Sequence, residues 1–174
     1  MKKLFLLLVV SFFATGVFAQ EWSVGGRVGS GFQAVGQYNR NDYEYVEARF
    51  GAYWCNGVTA DFTALYNWRI AEMDWTPNAG IWFFDAGVGV NTGGASHYAY
   101  VGVAGMARLG YKFKKAPISL SIDYTPVIGP EFAYGIPSIE GDIYTGDVYM
   151  KNKTYAGFYT AGLFNTGITC TFHF

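Results

Sequence analysis

Taken two at a time, residues 162–174 (GLFNTGITCTFHF) sort into two unlike sets. Phe164, Thr166, Ile168, Cys170, Phe172 and Phe174 fall on one parity, and Leu163, Asn165, Gly167, Thr169, Thr171 and His173 on the other. A strand sends successive side chains to opposite faces, so this spacing predicts a strand with two different surroundings. It also ends on an aromatic residue, without a polar tail.

The same sorting returns through the rest of the chain and predicts seven more strands. Residues 21–29 set Trp22, Val24, Gly26 and Val28 against Ser23, Gly25 and Arg27. Residues 32–39 set Phe32, Ala34, Gly36 and Tyr38 against Gln33, Gln37 and Asn39, with Val35 as the one misfit on the polar side. In 43–54, Val46, Ala48, Phe50, Ala52 and Trp54 oppose Tyr45, Glu47, Arg49, Gly51 and Tyr53. The cleanest alternation is 58–70, with Val58, Ala60, Phe62, Ala64, Tyr66 and Trp68 against Thr59, Asp61, Thr63, Leu65, Asn67 and Arg69. Strands over 80–91, 100–113 and 118–128 place Asp85, Arg108, Lys112 and Asp123 on the polar parity. Between them lie Ser30-Gly31, Arg40-Asn41-Asp42, a linker containing Pro77, a loop over 92–99 and Lys114-Lys115-Ala116-Pro117. Asn56-Gly57 is the strongest short hairpin signal. Residues 129–154 read as a long loop.

The other end of the chain predicts a compartment. Lys2 and Lys3 precede an apolar run over 4–13, and Val17-Phe18-Ala19 follows with the pattern of a cleavage site. Ten apolar residues are too few to span a bilayer as a helix, so 1–19 reads as a secretory signal and 20–174 as the mature domain. Removing two lysines takes Lys+Arg from 12 to 10 against 13 acids, a mature charge of −3. The composition is half apolar and 20% aromatic, yet only 14% charged, well under the roughly 25–35% that a soluble domain carries on its surface.

These observations point to an all-β, eight-stranded, antiparallel up-and-down transmembrane β-barrel. The apolar parity has no Asp, Lys or Arg through the middle of any strand, where a charge would cost about 2–4 kcal/mol in the bilayer. Setting aside Lys112 near a rim, the polar parity carries Arg27, Glu47, Arg49, Asp61, Arg69, Asp85, Arg108 and Asp123: four arginines with four carboxylates, equal numbers that permit a closed interior network. A soluble, lipocalin-like barrel is the rival. It fails because the polar parity is studded with small residues such as Gly51, Gly87, Gly102 and Ser121, which suit the cramped bore of eight strands. With both ends of the mature domain periplasmic, Trp22, Tyr38, Trp68, Trp82, Phe113 and Phe174 form an aromatic girdle at that interface.

The runs RVGSGFQAVGQY, IWFFDAGVGV and LGYKFKKAPISLSIDYTP, with the aromatic C-terminus, resemble the small outer-membrane β-barrel domain family, eight-stranded barrels like the OmpA membrane domain and OmpX. The resemblance spans most of the mature chain. It implies the bacterial outer membrane, contact with outer-membrane lipid, and recognition of the C-terminal strand ending in Phe174 by the assembly machinery. It transfers no catalytic signature, so the expectation is a non-enzymatic role, structural or in surface interaction with an extracellular partner. A narrow porin-like pore for small solutes is the alternative, and a lipid A-modifying enzyme comes third.

The remaining residues suggest little chemistry. Catalytic, cofactor-binding and metal residues are expected to be absent, and nucleic acid is not an expected partner. Cys55 and Cys170 fall at opposite ends of the barrel, beyond the reach of a disulfide, and neither has a neighbour at metal-ligand spacing. Ser96-His97 reads as an exposed loop pair, and His173 as a hydrogen-bonding group at the rim. The best interaction candidates lie in 129–154, where Glu131, Phe132, Tyr134, Tyr144 and Tyr149 mix aromatic and acidic character, a composition that fits either a recognition surface or a lid folded over the barrel mouth.

Overall fold

The computed structural model describes residues 21–54, 58–141 and 148–174. The expected signal over 1–19, Cys55, the Asn56-Gly57 turn and Tyr144 lie outside these residues. Ten strands are present: β1 (Trp22–Gly29), β2 (Gly31–Asn39), β3 (Glu44–Tyr53), β4 (Thr59–Thr76), β5 (Gly80–Ala95), β6 (Tyr98–Phe113), β7 (Ile118–Tyr124), β8 (Val127–Gly141), β9 (Val148–Tyr159) and β10 (Thr166–His173). All pairings are antiparallel.

Eight staves close on themselves. β1 through β7 pair in sequence, β7 pairs β10, and β10 pairs β1 with Ser23 opposite His173 and Gly29 opposite Gly167. The fold is therefore an all-β, closed, eight-stranded antiparallel barrel, as the alternation predicts. Closure leaves no free edge in the wall. Glu21, Phe174 and the turns near Asn41, Pro77 and Lys115 gather at one end, here the terminal end. The far end carries the longer extensions.

The extensions differ from the sequence reading. β4 does not stop at Ile70 but continues to Thr76, and irregularities between Arg69 and Ala71 and between Met73 and Thr76 break its parity. The loop expected over 92–99 shrinks to Ser96-His97, because Ala95 pairs with Tyr98. Most of the loop expected over 129–154 is strand. β8 continues the β7 stave after an offset at Thr125-Pro126, pairs with β6 from Val127↔Ala104 to Ala133↔Tyr98, and then runs on with β9 as a hairpin. A 3-10 turn, Ala161–Phe164, joins β9 to β10, where the alternation predicts unbroken strand.

Side-chain direction follows parity. Ile122, Val103 and Val88 are 64%, 63% and 54% exposed on the outside, whereas Arg27 and Glu47 are 0% exposed inside. Val35, the apolar misfit, is buried in the bore all the same. The core of this molecule is thus a polar column with an apolar stretch at the far end.

Candidate functional site

The bore gathers Arg27, Glu47, Arg49, Asp61, Arg69, Asp85, Arg108 and Asp123, and three salt-bridged or hydrogen-bonded layers fill it. The middle layer is built by β1, β3, β6 and β7. Glu47 accepts two hydrogen bonds from Arg108, from Nη1 at 2.7 Å and Nη2 at 2.8 Å, and also accepts from Arg49 Nε. Gln37 Nε2 donates to the same carboxylate at 2.6 Å. Asp123 accepts from Arg27 Nε at 2.8 Å, Arg49 Nη1 at 3.3 Å and Thr169 Oγ1 at 2.6 Å. Arg27 reaches onward to Gln33 and Asn165. Its guanidinium occupies the space above Gly167, where an added Cβ would stand 2.7 Å from Arg27 Cζ. Three arginines thus share two carboxylates with side chains at most 2% exposed, and bidentate pairing of this kind is the strong form of the interaction.

Nearer the terminal end, Arg69 Nε donates to Asp85 at 2.9 Å and Nη1 to Glu72 at 2.9 Å. Its guanidinium carbon lies 4.4 Å from the centroid of the Phe83 ring. Tyr45 links the two layers: its hydroxyl donates to Asp85 at 2.8 Å and accepts from Arg108 at 3.0 Å. Below them a cavity of about 340 Å3 opens between Asn41, Tyr43, Arg69, Lys112, Ser121 and His173. His173 is held by Ser23 at 2.8 Å and Ser119 at 2.9 Å, one hydroxyl on each ring nitrogen.

Asp61 stands apart. It lies toward the far end and meets no arginine. Its carboxylate accepts from Asn91 Nδ2 at 2.6 Å, Tyr100 OH at 2.9 Å and Gln33 Nε2. The expected set of eight therefore divides: seven residues make ion pairs, and the eighth is satisfied by neutral donors. Around and above Asp61 sits an apolar cluster of Tyr53, Leu65, Tyr100, Met106, Val127 and Tyr159. Tyr100 and Tyr159 stack at 4.0 Å with an interplanar angle of 15°. Parity reasoning assigned Tyr53 and Leu65 to the bore, but Tyr159 lay in unassigned sequence and its inward position was missed.

Among the described residues, five buried polar atoms have no hydrogen-bond partner: Arg49 Nη2, Arg108 Nε, both amide atoms of Asn67 and Asn91 Oδ1. Such atoms in a polar bore are satisfied by water in native proteins. Among the described residues, no group of three His, Cys, Asp or Glu side chains is arranged to hold a metal ion.

Outside, aromatic pairs ring the terminal end: Trp22 with Tyr38 at 5.0 Å, Tyr66 with Trp68 at 5.1 Å, and Trp82 with Tyr111 at 5.1 Å. Arg40, in the turn after β2, donates to the Tyr66 hydroxyl at 3.2 Å, which holds the guanidinium above its ordinary value. Cys170 is an exposed free thiol on this outer face. Of the interaction candidates, Glu131, Phe132 and Tyr134 lie on β8, and the backbone of Tyr149 lies on β9. Phe132 and Tyr134 are exposed, and the Tyr134 N–H donates to the His97 carbonyl at 2.9 Å. Ser96-His97 is the tip between β5 and β6, and its ring meets Tyr134 edge-on at 6.1 Å.

Compared with known proteins, the chain matches no family model, no curated sequence and no solved structure. The functional reading accordingly rests on geometry.

Proposed function

We propose that this chain is an integral outer-membrane barrel of the OmpA/OmpX-like kind, non-enzymatic, whose role is structural or in surface interaction through its far, extracellular end. One observation carries the reading: the closed wall turns its apolar side chains outward and its charges inward. Val24, Phe50, Phe62, Val88, Leu109 and Ile122 stand exposed between the rims, on a wall with no charged side chain at that level. A soluble monomer rarely exposes a continuous apolar patch beyond a few hundred Å2. Here the apolar band encircles the molecule, which is the surface that hydrocarbon requires. The aromatic pairs at the terminal end match an interfacial belt, and Phe174 ends the stave offered to the assembly machinery.

A narrow pore is the second reading, favoured by the 340 Å3 cavity at the terminal end. Against it stand the paired arginines and the stacked tyrosines, which occupy the bore above that cavity. Refolding from urea into phosphatidylcholine vesicles tests both readings. The expected result is bilayer-dependent folding with heat-modifiable migration, and no reproducible unitary current from the same material. A folded, soluble monomer in plain buffer would overturn the membrane reading, and reproducible conductance would overturn the plugged bore.

A further inference from the structure

Parity sends Lys112 toward the bore at the terminal end, where it is a cation left over from the paired set. It stands opposite Ile81 on one side and Ser119 on the other. The neighbouring acids pair elsewhere: Glu72 and Asp85 with Arg69, and Asp74 with Lys114 at 4.0 Å. Among the described residues, Lys112 itself makes no ion pair. The irregularity in β4 between Arg69 and Ala71 accounts for this arrangement. In unbroken alternation Arg69 and Glu72 would face opposite sides of the wall. The extra residue turns Glu72 inward, opposite Phe83, where it meets Arg69 Nη1 at 2.9 Å.

At the lip formed by the ends of β4, β5 and β6, a second cavity of about 240 Å3 opens beside the first. Arg69, Lys112 and Lys114 line it with Glu72, three cations to one acid. Ile81, Phe83 and Phe113 supply the rest of its wall. A molecule of liquid water takes about 30 Å3, so the space admits a group several times that size. Its apolar side runs into the outer aromatic belt. Phe113 meets Tyr111 edge-on at 4.9 Å, Tyr111 meets Trp82 at 5.1 Å, and Trp82 meets Trp75 at 6.0 Å. The cavity thus joins the charged mouth of the bore to the aromatic surface outside.

The geometry points to this cavity as a binding site for an anionic phospholipid, its phosphate at Lys112 and Lys114 and its apolar part against Phe113. A lysine ammonium binds phosphate as a point charge, and basic pockets in a membrane-spanning wall select lipids with negative headgroups. A soluble anion would use the cations and gain nothing from Phe113 and the belt. An amphiphile uses both.

The site rests on the membrane reading, and one experiment separates the two claims. The protein is inserted into nanodiscs holding phosphatidylcholine and phosphatidylglycerol in equal amounts, and the lipids retained on the released barrel are counted by native mass spectrometry. The expected result is retention of phosphatidylglycerol about twentyfold over phosphatidylcholine, at about fivefold for each lysine. Lys112→Gln and Lys114→Gln should each remove about fivefold, whereas Lys112→Arg should keep the preference. Lys115→Gln, in the same turn but outside the cavity, should leave it unchanged. Both lining lysines are exposed, so the barrel fold persists, as heat-modifiable migration would verify. Equal retention of the two lipids, a loss in Lys115→Gln as large as in Lys112→Gln, or displacement of the lipid by millimolar glycerol phosphate would overturn the lipid site. Insertion without selective retention removes the site alone, whereas failure to insert removes the membrane reading beneath it.

Discussion

Glu47 and Asp61 are both buried carboxylates of the bore, at 0% and 3% exposure, but they are neutralised in different ways. Glu47 is the counter-ion of Arg108 and Arg49, so Glu47→Gln leaves three buried guanidinium groups, those of Arg27, Arg49 and Arg108, with one remaining acid, Asp123. Breaking a buried ion pair by removing one partner costs about 3–5 kcal/mol. Asp61 receives only neutral donors, one of them from Asn91, whose Oδ1 has no partner. Asp61→Asn breaks no ion pair, and the expected cost is about 1 kcal/mol, that of one ordinary hydrogen bond. Urea titration of the folded fraction in vesicles should rank Glu47→Gln well below Asp61→Asn. Equal midpoints would contradict the division of the bore into an ionic and a neutral layer. Parity alone placed all eight residues inside, because the direction of a side chain from a strand is local. Which acid meets which arginine depends on the width and stagger of the closed barrel, and neither is written in any one strand. The same stagger decides that Asp61 meets Gln33 and Asn91 and that Thr169 meets Asp123, pairings that parity does not give.

Among the elements, β8 and β9 depart furthest from what the sequence suggests. Two offsets, at Thr125-Pro126 and between Ala133 and Ile136, shift the apolar parity along this stretch. Gly135 takes a positive φ of 65° at the second. Mixed acids, aromatics and prolines over 129–154 then resemble a loop, although the backbone over 129–141 and 148–154 is largely paired strand. β4 was cut short for the same reason, its bulges near Arg69 and Met73 interrupting the count of two. Beyond the Tyr134 N–H bond to His97, the described residues of the hairpin pair only with one another. Deleting residues 136–153 would leave Tyr134, Gly135 and Thr154 as a three-residue loop between the paired Ala133 and Tyr155, with glycine already in the left-handed conformation that such loops use. The shortened protein should fold with a stability change under about 1 kcal/mol, read as an unchanged urea midpoint and intact heat-modifiable migration. Loss of folding would show that the hairpin braces the barrel.

The whole molecule inverts the usual arrangement of a soluble domain: polar groups are buried in a column and apolar groups form the outer skin. This was the most legible feature of the chain, since it needs only alternation and the scarcity of charge on one parity. On the proposed membrane reading, hydrocarbon around the waist accounts for the inversion, because water would leave the apolar skin exposed and return nothing for burying the arginines. β6 crosses that waist with outward Val101, Val103, Ala107 and Leu109 alternating with inward Gly102, Ala104, Met106 and Arg108. The most direct measurement places a nitroxide at each position from 101 to 109, with Cys55 and Cys170 replaced by serine, in a vesicle-reconstituted barrel. The account predicts a period of two, with oxygen relaxing labels at 101, 103, 107 and 109 strongly and a water-soluble nickel complex relaxing them weakly. Strong relaxation of those same four labels by the nickel complex would contradict it.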